Sequence, residues 1–366
     1  MPTQLSLIGA SGFIGLRCTE LLHGKQPLEV IPVVRSFSSL AVVARQRLAW
    51  KIADPLKLDE LAAALKGTEI CVHAAIGNAN QIPRMAEVAY HACAQAGVRR
   101  LIWLSSASVH GQNCPLGTTE KSELHTLHPL SYNNAKVRAE RILARLATDK
   151  KVELVMLRPG VVFGARSRWI TDCIDDLNTG SAAWLNQGAG ICNSIYVDNL
   201  VEAIRLAAIL PNAAGKTYLV GDEETVTWND FLLPIAEMLG MDSNAFHEAV
   251  NTTVIPEKES RLTALTLHPA YGRITGACPD LFKRLAKAIV KAIPPRQMPP
   301  NAWTVREHAR PTLSPEHILL QSCAYKFPHT CIAEELGYRA PIAFAEGMRR
   351  SLSWASVLAY PHLPKR

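Results

Sequence analysis

The chain opens with QLSLIGASGFIG at residues 4–15, and this stretch decides the fold. Residues 4–8 have the pattern of a short apolar strand, and a helical pattern begins at Gly12. Gly9 permits a tight turn, Gly12 lets the backbone approach a pyrophosphate, and Gly15 lets the helix pack against the strand. Phosphate would then lie on the free N–H groups that open the helix. The stretch predicts a dinucleotide-binding unit rather than a ligand-free glycine turn, although its GxxGxxG spacing is one residue longer than GxGxxG.

Strand and helix patterns alternate through the first 165 residues. The strand patterns cover 4–8, 30–34, 70–73, 101–104 and 154–157, and the helical patterns cover 12–22, 59–65, 83–97 and 132–147. Such alternation predicts an α/β fold with a doubly wound parallel sheet, because the crossovers are right-handed. A further strand and helix at 194–210 complete it. We therefore expect a Rossmann domain of residues 1–165 plus 192–226, and a smaller, mostly helical substrate-binding or lid domain of residues 166–191 plus 227–366.

The composition excludes several classes of protein. Of the 366 residues, 48% are hydrophobic and 19% are charged, which is too apolar for a disordered chain. No apolar run approaches the roughly 20 residues that span a bilayer, and the first residues have no basic region typical of a signal peptide. The nine cysteines contain no CxxC pair, which predicts reduced thiols without a zinc site or disulfide framework. We expect a cytoplasmic protein that binds no metal.

Three polar residues form a candidate catalytic group. Tyr132 and Lys136 are four positions apart on a predicted helix, so they share a face. We expect the ammonium of Lys136 to lower the pKa of Tyr132 and so prepare it for proton exchange with an alcohol or carbonyl oxygen. Ser106 follows a predicted strand, where doubly wound sheets bind ligands, and its hydroxyl would hold the same oxygen. A YxxxK pair alone is weak evidence; its position after the glycine loop gives it weight.

The end of the second strand predicts which cofactor is bound. An NAD site would place an acidic residue here to bind the ribose hydroxyls, whereas this chain has Arg35 followed by Ser36. A guanidinium suits the 2′-phosphate of NADP. We therefore predict that NADP(H) is preferred over NAD(H). The alternative is a solvated arginine at a strand end.

These motifs, in this order, resemble the extended short-chain dehydrogenase/reductase family, which includes NAD-dependent epimerases and dehydratases. The matching pieces are GASGFIG (9–15), HAA (73–75), SSASVHG (105–111), YNNAK (132–136), LRPGVVFG (157–164) and IYVDNLVEAI (195–204). Weaker similarity continues through 218–231 and 334–354. The resemblance therefore covers most of the chain, except about 245–330.

The resemblance implies a role for each matching residue. Tyr132 would be the acid/base, Lys136 would hold the nicotinamide ribose, and Ser106 would contact the reacting oxygen. The cofactor would also contact the loop residues Ser11, Phe13 and Ile14, the strand-end pair Ala74 and Ala75, and Pro159, Gly160 and Val162 beside the nicotinamide. Two positions depart from the family: Lys51 stands where an aspartate often binds adenine, and His110 replaces the usual tyrosine of VYG.

The substrate is predicted less directly. Cys192 occupies the position where nucleotide-sugar epimerases have an arginine for the diphosphate, and a thiol cannot replace it. The Tyr-Val-Asp-Asn-Leu form is more similar to the 3β-hydroxysteroid dehydrogenase and dihydroflavonol reductase branches. We therefore expect an oxidoreductase that interconverts a carbonyl and a secondary alcohol on a largely apolar small molecule. His110, Arg166 and Arg168 are candidate substrate contacts, with a packing histidine and surface arginines as the alternative.

Two other functions stay open at this point. One is a nucleotide-sugar epimerase or dehydratase that uses the same tyrosine and lysine. The other is a non-catalytic NADP-binding redox sensor. Retention of Ser106, Tyr132 and Lys136 argues against the sensor, because a protein that only binds the cofactor needs no acid/base group.

The net charge of +7 is concentrated in one segment, since residues 271–310 alone carry +6. Within it, residues 280–293 predict an amphipathic helix with Lys283, Lys287 and Lys291 on one side. This helix would be a lid with a solvated basic face, or it would contact an anionic membrane surface, an acidic carrier protein or a thioester substrate. Nucleic acid is not expected, because no aromatic residues alternate with the basic ones. A homodimer stays open.

Overall fold

The computed structural model describes residues 2–25, 27–249, 253–254, 256 and 313–357. Its N-terminal half alternates strands and helices. In chain order these are β1 (Thr3–Ile8), α1 (Phe13–Leu22), β2 (Leu28–Val34), α2 (Phe37–Val43), β3 (Lys51–Ile52), α3 (Leu58–Leu65), β4 (Ile70–His73), α4 (Ile82–Ala96), β5 (Arg100–Leu104), α5 (Ser131–Leu146) and β6 (Glu153–Pro159).

The remaining described elements are shorter on average. They are β7 (Val161–Phe163), α6 (Arg168–Asn178), β8 (Ala183–Trp184), β9 (Ile191–Cys192), β10 (Ser194–Tyr196), α7 (Val197–Ile209), β11 (Thr217–Val220), β12 (Val226–Thr227), α8 (Trp228–Met238), β13 (His247–Glu248), α9 (Pro315–Gln321), α10 (Thr330–Leu336) and α11 (Phe344–Val357).

Seven strands form one parallel sheet in the order β11-β6-β5-β4-β1-β2-β3. The order reverses between β1 and β4, which is the switch point where open α/β sheets bind ligands beyond their strand ends. The predicted doubly wound α/β fold is confirmed. The strands and helices predicted within the first 165 residues agree with the structure to within about two residues at each end, whereas α2, β3 and β7 were not predicted.

Helices cover both faces of the sheet because both faces are apolar. One buried cluster joins the sheet to α1 and α7, with Leu16, Leu200 and Ile204 at its centre, and it extends to Ile332 of α10. The opposite cluster joins the sheet to α3, α4 and α5 and contains the fully buried Trp103.

A third cluster lies beyond the carboxyl ends of the strands. It is aromatic, with Phe163, Trp228, Phe231 and Phe344 in contact at ring-centroid distances of 5.3–6.2 Å. These rings come from β7, α8 and α11, and residues of α6 pack with them. The cluster fixes the helices that face the glycine loop across the open end of the sheet.

The predicted basic helix at 280–293 lies outside the described residues. None of the helices that the structure describes is both long enough and apolar enough to cross a membrane.

Candidate active site

A deep cavity lies at the carboxyl ends of the strands and has a volume of about 1150 Å³. Its floor is formed where β1, β2, β4, β5 and β6 end, since Ile8, Val33, Ala74, Leu104 and Pro159 all line it. One end of the cavity holds the glycine loop, and the other reaches α6, α8 and α9. This is the position that the doubly wound topology predicts for a nucleotide and its substrate.

The glycine loop has the geometry of a phosphate cradle. Gly9 has a φ of +84°, and a Cβ there would lie 2.6 Å from the backbone nitrogen of Ala75. A Cβ on Gly15 would lie 2.2 Å from the carbonyl oxygen of Gly9. These two glycines are therefore required for packing, whereas Gly12 is exposed at the start of α1. Of the predicted loop contacts, Gly9, Ser11, Gly12, Phe13 and Ile14 line the cavity, and Gly15 supports them from behind.

Arg35 lines the cavity at the end of β2, with its side chain exposed. The hydroxyl of Ser36 accepts a hydrogen bond from the backbone N–H of Ser39 at 3.3 Å and contacts the hydroxyls of Ser38 (2.8 Å) and Ser39 (3.1 Å). Ser39 lines the cavity together with Arg35, whereas the predicted cofactor contact Ser36 is not among the described residues that line it. No acidic residue stands between Glu29 and Asp54 in this part of the sequence.

An acidic cavity residue was missed at the end of the third strand. Lys51, which we had aligned with the adenine-binding position, lies inside β3, and its Nζ donates to the carbonyl of Lys66 at 3.3 Å. Asp54 lies two residues beyond β3 and lines the cavity, whereas Lys51 is not among the described residues that line it. The strand has only two residues, which is too short for a periodic pattern to mark its end.

The structure brings Ser106, Tyr132 and Lys136 together at the cavity wall. Ser106 follows β5 and hydrogen-bonds the hydroxyl of Tyr132, and it accepts hydrogen bonds from the hydroxyl (2.9 Å) and the backbone N–H (3.2 Å) of Ser108. Lys136 is buried, and its Nζ donates to the carbonyl of Leu104 at 2.8 Å and lies 5.8 Å from the ring centroid of Tyr132. The carbonyl at the end of β5 thus anchors the ammonium near the phenol.

Burial controls the pKa values of this group. It raises the pKa of Tyr132, and the hydrogen bond with Ser106 opposes the rise. Burial also lowers the pKa of Lys136 to about 8, with the carboxylate of Glu140 acting in the other direction. The expectation that Lys136 lowers the pKa of Tyr132 is therefore wrong for this geometry, because desolvation of the phenol outweighs every favourable interaction around it.

Behind the catalytic group lies a buried ionic network. Arg158 donates to Glu140 through Nη2 at 2.6 Å and through Nε at 3.0 Å. Arg158 also lies 3.1 Å from Nε2 of His110, and burial lowers the pKa of His110 to about 3. His110 is thus a neutral acceptor for the guanidinium. His110 therefore contacts Arg158 and is not one of the described residues that line the cavity.

The far end of the cavity combines aromatic and charged side chains. The apolar residues there are Trp169, Ile191, Trp228, Leu232, Phe246, Leu320 and Phe327. Arg166 and Arg168 also line the cavity, but Arg168 lies 3.3 Å from Asp172 in an exposed ion pair. Elsewhere the cavity is lined by five more of the predicted cofactor contacts: Ala74, Ala75, Pro159, Gly160 and Val162. Cys192 is fully buried within the third cluster and does not face this space among the described residues.

Sequence reasoning did not find the contribution of residues 313–327 to this wall. They include Glu316, whose negative charge acts on Tyr132, and His317, whose ring packs against Trp169 at 5.5 Å. The Ser-Pro-Glu run at 314–316 is typical of a helix start, and Ser314 does cap α9. Such a signal locates a helix in the chain but not against a cavity in space.

Comparison with known proteins agrees with this geometry. A family model described as NAD(P)H-binding matches residues 9–167. UDP-glucose 4-epimerase of Vibrio cholerae is 27% identical over 64% of this chain and 76% of its own. Sterol-4-alpha-carboxylate 3-dehydrogenase, decarboxylating, of Mus musculus is 26% identical over 67% of this chain and 71% of its own. For 3beta-hydroxysteroid-dehydrogenase/decarboxylase isoform 2 of Arabidopsis thaliana, 23% identical, the match spans 87% of this chain but only 54% of that protein.

Solved structures show the same fold. The dTDP-glucose 4,6-dehydratase DesIV of Streptomyces venezuelae, solved with NAD, has a TM-score of 0.67 at 19% identity over 96% of both chains. UDP-glucuronic acid 4-epimerase of Bacillus cereus, also solved with NAD, has a TM-score of 0.67 at 14% identity and covers 97% of this chain and 100% of its own. The fold and site define an NAD(P)-dependent enzyme. Residues 9–167 match an NAD(P)H-binding family, and these relatives confirm that the chain resembles the extended short-chain dehydrogenase/reductase family.

Proposed function

We propose that the protein is an NADP(H)-dependent oxidoreductase that interconverts a carbonyl group and a secondary alcohol on a largely apolar small molecule. The observation that carries the proposal is the hydrogen bond between Ser106 and Tyr132, next to buried Lys136 in the wall of the cavity. The hydroxyl pair offers a proton and a hydrogen bond to one substrate oxygen. The glycine loop lies in the same cavity, so a single extended cofactor can reach both.

Different residues of the cavity would bind different parts of the cofactor. The glycine loop would hold the pyrophosphate, Asp54 would accept a hydrogen bond from the adenine amine, and Lys136 would hold the nicotinamide ribose. The bound cofactor supplies or accepts the hydride. Residues 1–165 plus 192–226 would thus bind the cofactor, and residues 166–191 plus 227–366 would bind the substrate.

Proton transfer falls to Tyr132. Its pKa is raised by burial, so the phenol is protonated at neutral pH and is ready to donate to the oxygen of a carbonyl as it is reduced. Ser106 would accept or donate a hydrogen bond at the same oxygen and fix its position. In the reverse direction, Tyr132 would take the proton of the alcohol.

The preference for NADP rests on Arg35. Arg35 and Ser39 both line the cavity, and a guanidinium suits a phosphate better than a ribose diol. A carboxylate at this position would repel the 2′-phosphate, and the chain has none there. We therefore expect NADP+ to bind more tightly than NAD+.

The preference for an apolar substrate rests on the aromatic wall of α6, α8 and the 313–327 stretch. Trp169, Trp228 and Phe327 are among the residues that line the cavity. Aromatic faces of this kind bury apolar ligand surface efficiently. The charged residues near the same wall provide a small number of polar contacts for orientation.

A nucleotide-sugar epimerase is the second candidate, because one of the relatives is a UDP-glucose 4-epimerase and two arginines, Arg166 and Arg168, reach the cavity. The two functions differ in stoichiometry. A reductase consumes one NADPH for each carbonyl reduced, whereas an epimerase leaves the cofactor unchanged.

The test is to incubate the protein with NADPH and a panel of cyclic ketones and sterol-like ketones, following NADPH absorbance. UDP-sugars are incubated in parallel and analysed for epimers. Consumption of NADPH with alcohol formed in equal amount supports the proposal. Epimer formation without net NADPH consumption would overturn it in favour of the second candidate.

A further inference from the structure

Two cysteines from distant parts of the chain meet at the wall of the cavity. Cys114 lies in the segment between β5 and α5, and Cys323 lies just after α9. Both side chains are buried, and their thiols are hydrogen-bonded to each other. Cys323 is among the residues that line the cavity, whereas Cys114 is not among the described ones that do.

The surroundings of the two sulfurs are different. The Sγ of Cys323 lies 3.6 Å from Nδ2 of Asn193, which donates to it, and it also receives hydrogen bonds from the thiol and the backbone N–H of Cys114. When protonated, the thiol of Cys323 itself donates to the carbonyl of Tyr325 at 3.3 Å. Donors on a sulfur stabilise its thiolate form.

These hydrogen bonds separate the pKa values of the pair. The hydrogen bond from Cys114 is the largest of the effects that lower the pKa of Cys323, and the same contact together with burial raises the pKa of Cys114. The contact therefore favours the thiolate form at Cys323 over the thiolate form at Cys114. This is the arrangement of an attacking and a resolving cysteine.

We propose that Cys114 and Cys323 form an oxidisable dithiol in the cavity wall, which a hydroperoxide converts to an intramolecular disulfide. The Cys323 thiolate attacks the terminal peroxide oxygen, so an S–O bond forms, the O–O bond breaks, and the leaving oxygen departs as water or an alcohol after protonation. The Cys114 sulfur then attacks the Cys323 sulfur: the S–S bond forms, the S–O bond breaks, and the thiol proton of Cys114 leaves with the hydroxide as water. The two sulfurs lose two electrons, and the peroxide gains them.

The bond would tie together two walls of the cavity. Cys114 belongs to the segment that leads into α5, the helix of Tyr132 and Lys136, whereas Cys323 follows α9, which carries Glu316 and Leu320 along the far wall. Joining them covalently would fix the opening between the two elements. The further expectation that oxidation slows turnover rests on the proposed function, but formation of the disulfide does not.

The chain contains a matched control pair. Cys71 of β4 and Cys93 of α4 are also hydrogen-bonded to each other, and both are fully buried. Neither belongs to the described residues that line the cavity, and burial raises the pKa of Cys93. If contact between two thiols were sufficient, peroxide would oxidise both pairs. If a position at the cavity and a lowered pKa are also required, peroxide would oxidise only Cys114 and Cys323.

The experiment treats the full chain with hydrogen peroxide at neutral pH, blocks remaining thiols by alkylation, and maps disulfides by peptide mass spectrometry without reduction. We expect a peptide pair joined through Cys114 and Cys323 that disappears on treatment with dithiothreitol, with Cys71 and Cys93 recovered in alkylated form only after unfolding. Absence of the 114–323 link while Cys323 is oxidised to the sulfinic acid would overturn the proposal. Equal linkage of the Cys71–Cys93 pair would also overturn it, since access would then be irrelevant.

Two variants distinguish the roles of the sulfurs. In Cys114→Ser, Cys323 loses its resolving partner, and we expect a sulfenic acid that a dimedone probe captures. In Cys323→Ser, we expect Cys114 to remain reduced at peroxide concentrations that link the wild type. Circular dichroism checks that both variants fold. Rapid oxidation of Cys114 in Cys323→Ser would contradict the assignment, and neither readout depends on a substrate.

Discussion

Glu140 and Arg158 form a buried ion pair, 2.6 Å from Oε2 to Nη2, one helical turn beyond Lys136. Both side chains are 5% exposed or less, so water screens neither charge. Glu140 is also the one carboxylate among the described groups that raises the pKa of Lys136. The pair therefore links the packing of α5 and β6 to the charge of Lys136.

Replacing Glu140 with glutamine is expected to destabilise the fold strongly. Arg158 would keep its charge but lose its counterion, and breaking a buried pair by removing one partner costs about 3–5 kcal/mol. Urea unfolding measures the loss. The matched control is Glu87→Gln, which breaks an exposed pair with Arg84 and is expected to cost less than about 1 kcal/mol. Similar small losses in both variants would contradict the importance of burial here.

The same relationship predicts a pH effect on activity. Burial lowers the pKa of Lys136 to about 8. If Lys136 holds the ribose as an ammonium, as proposed, cofactor affinity is expected to fall as pH rises through that value. In Glu140→Gln the carboxylate that supports the charge is gone, so the fall should move to lower pH. Measuring NADPH affinity by fluorescence from about pH 6 to pH 10, a range that brackets this pKa, checks the prediction. An unchanged profile would show that Glu140 does not act on Lys136.

Lys136 also predicts a pH dependence of stability. Its pKa is about 8 in the folded protein against an ordinary value of 10.5, so between these values the unfolded chain binds a proton that the folded chain does not. Raising the pH through this window therefore stabilises the wild type relative to Lys136→Met, by on the order of 2–3 kcal/mol. Chemical unfolding of both proteins at the two ends of the window measures the difference. A constant difference would mean that the lysine is not desolvated.

Arg35 is predicted to select the cofactor. Arg35→Ala should weaken NADP+ binding by about 10- to 100-fold, the loss expected for a charged hydrogen bond to phosphate, and should leave NAD+ binding nearly unchanged. Calorimetry with both nucleotides measures the two affinities. Arg45→Ala is the matched control, because this exposed arginine is not among the described residues of the cavity. Equal weakening of both nucleotides by Arg35→Ala would contradict a contact with the 2′-phosphate.

Local patterns in the sequence predicted the sheet and most of the residues that line the cavity around the glycine loop. The glycine loop and the YNNAK motif each lie in a short continuous stretch of sequence. Their residues, such as Gly9, Gly15, Tyr132 and Lys136, could therefore be selected as candidates from sequence alone. Asp54 was missed because β3 has only two residues. The expected position for the acidic residue was placed at Lys51, which lies within this short strand.

Features that depend on distant residues were beyond prediction. The ion pair of Glu140 with Arg158 and the meeting of Cys114 with Cys323 each join segments whose spacing has no periodic relation. The raised pKa of Tyr132 likewise depends on how deeply the phenol is buried, and the neighbouring residues in the sequence do not predict that burial. His110 was judged by its neighbours in sequence, whereas its position is set by Arg158.

The most direct test of the account is the turnover of Tyr132→Phe with NADPH and a carbonyl substrate that the wild type reduces. The variant keeps the ring in place and removes only the hydroxyl that bonds Ser106. We predict that kcat falls by about 10²- to 10⁴-fold, the contribution of a general acid, while the affinity for NADPH stays within about threefold of the wild type. Turnover close to that of the wild type would contradict the role of Tyr132 and with it the proposed mechanism.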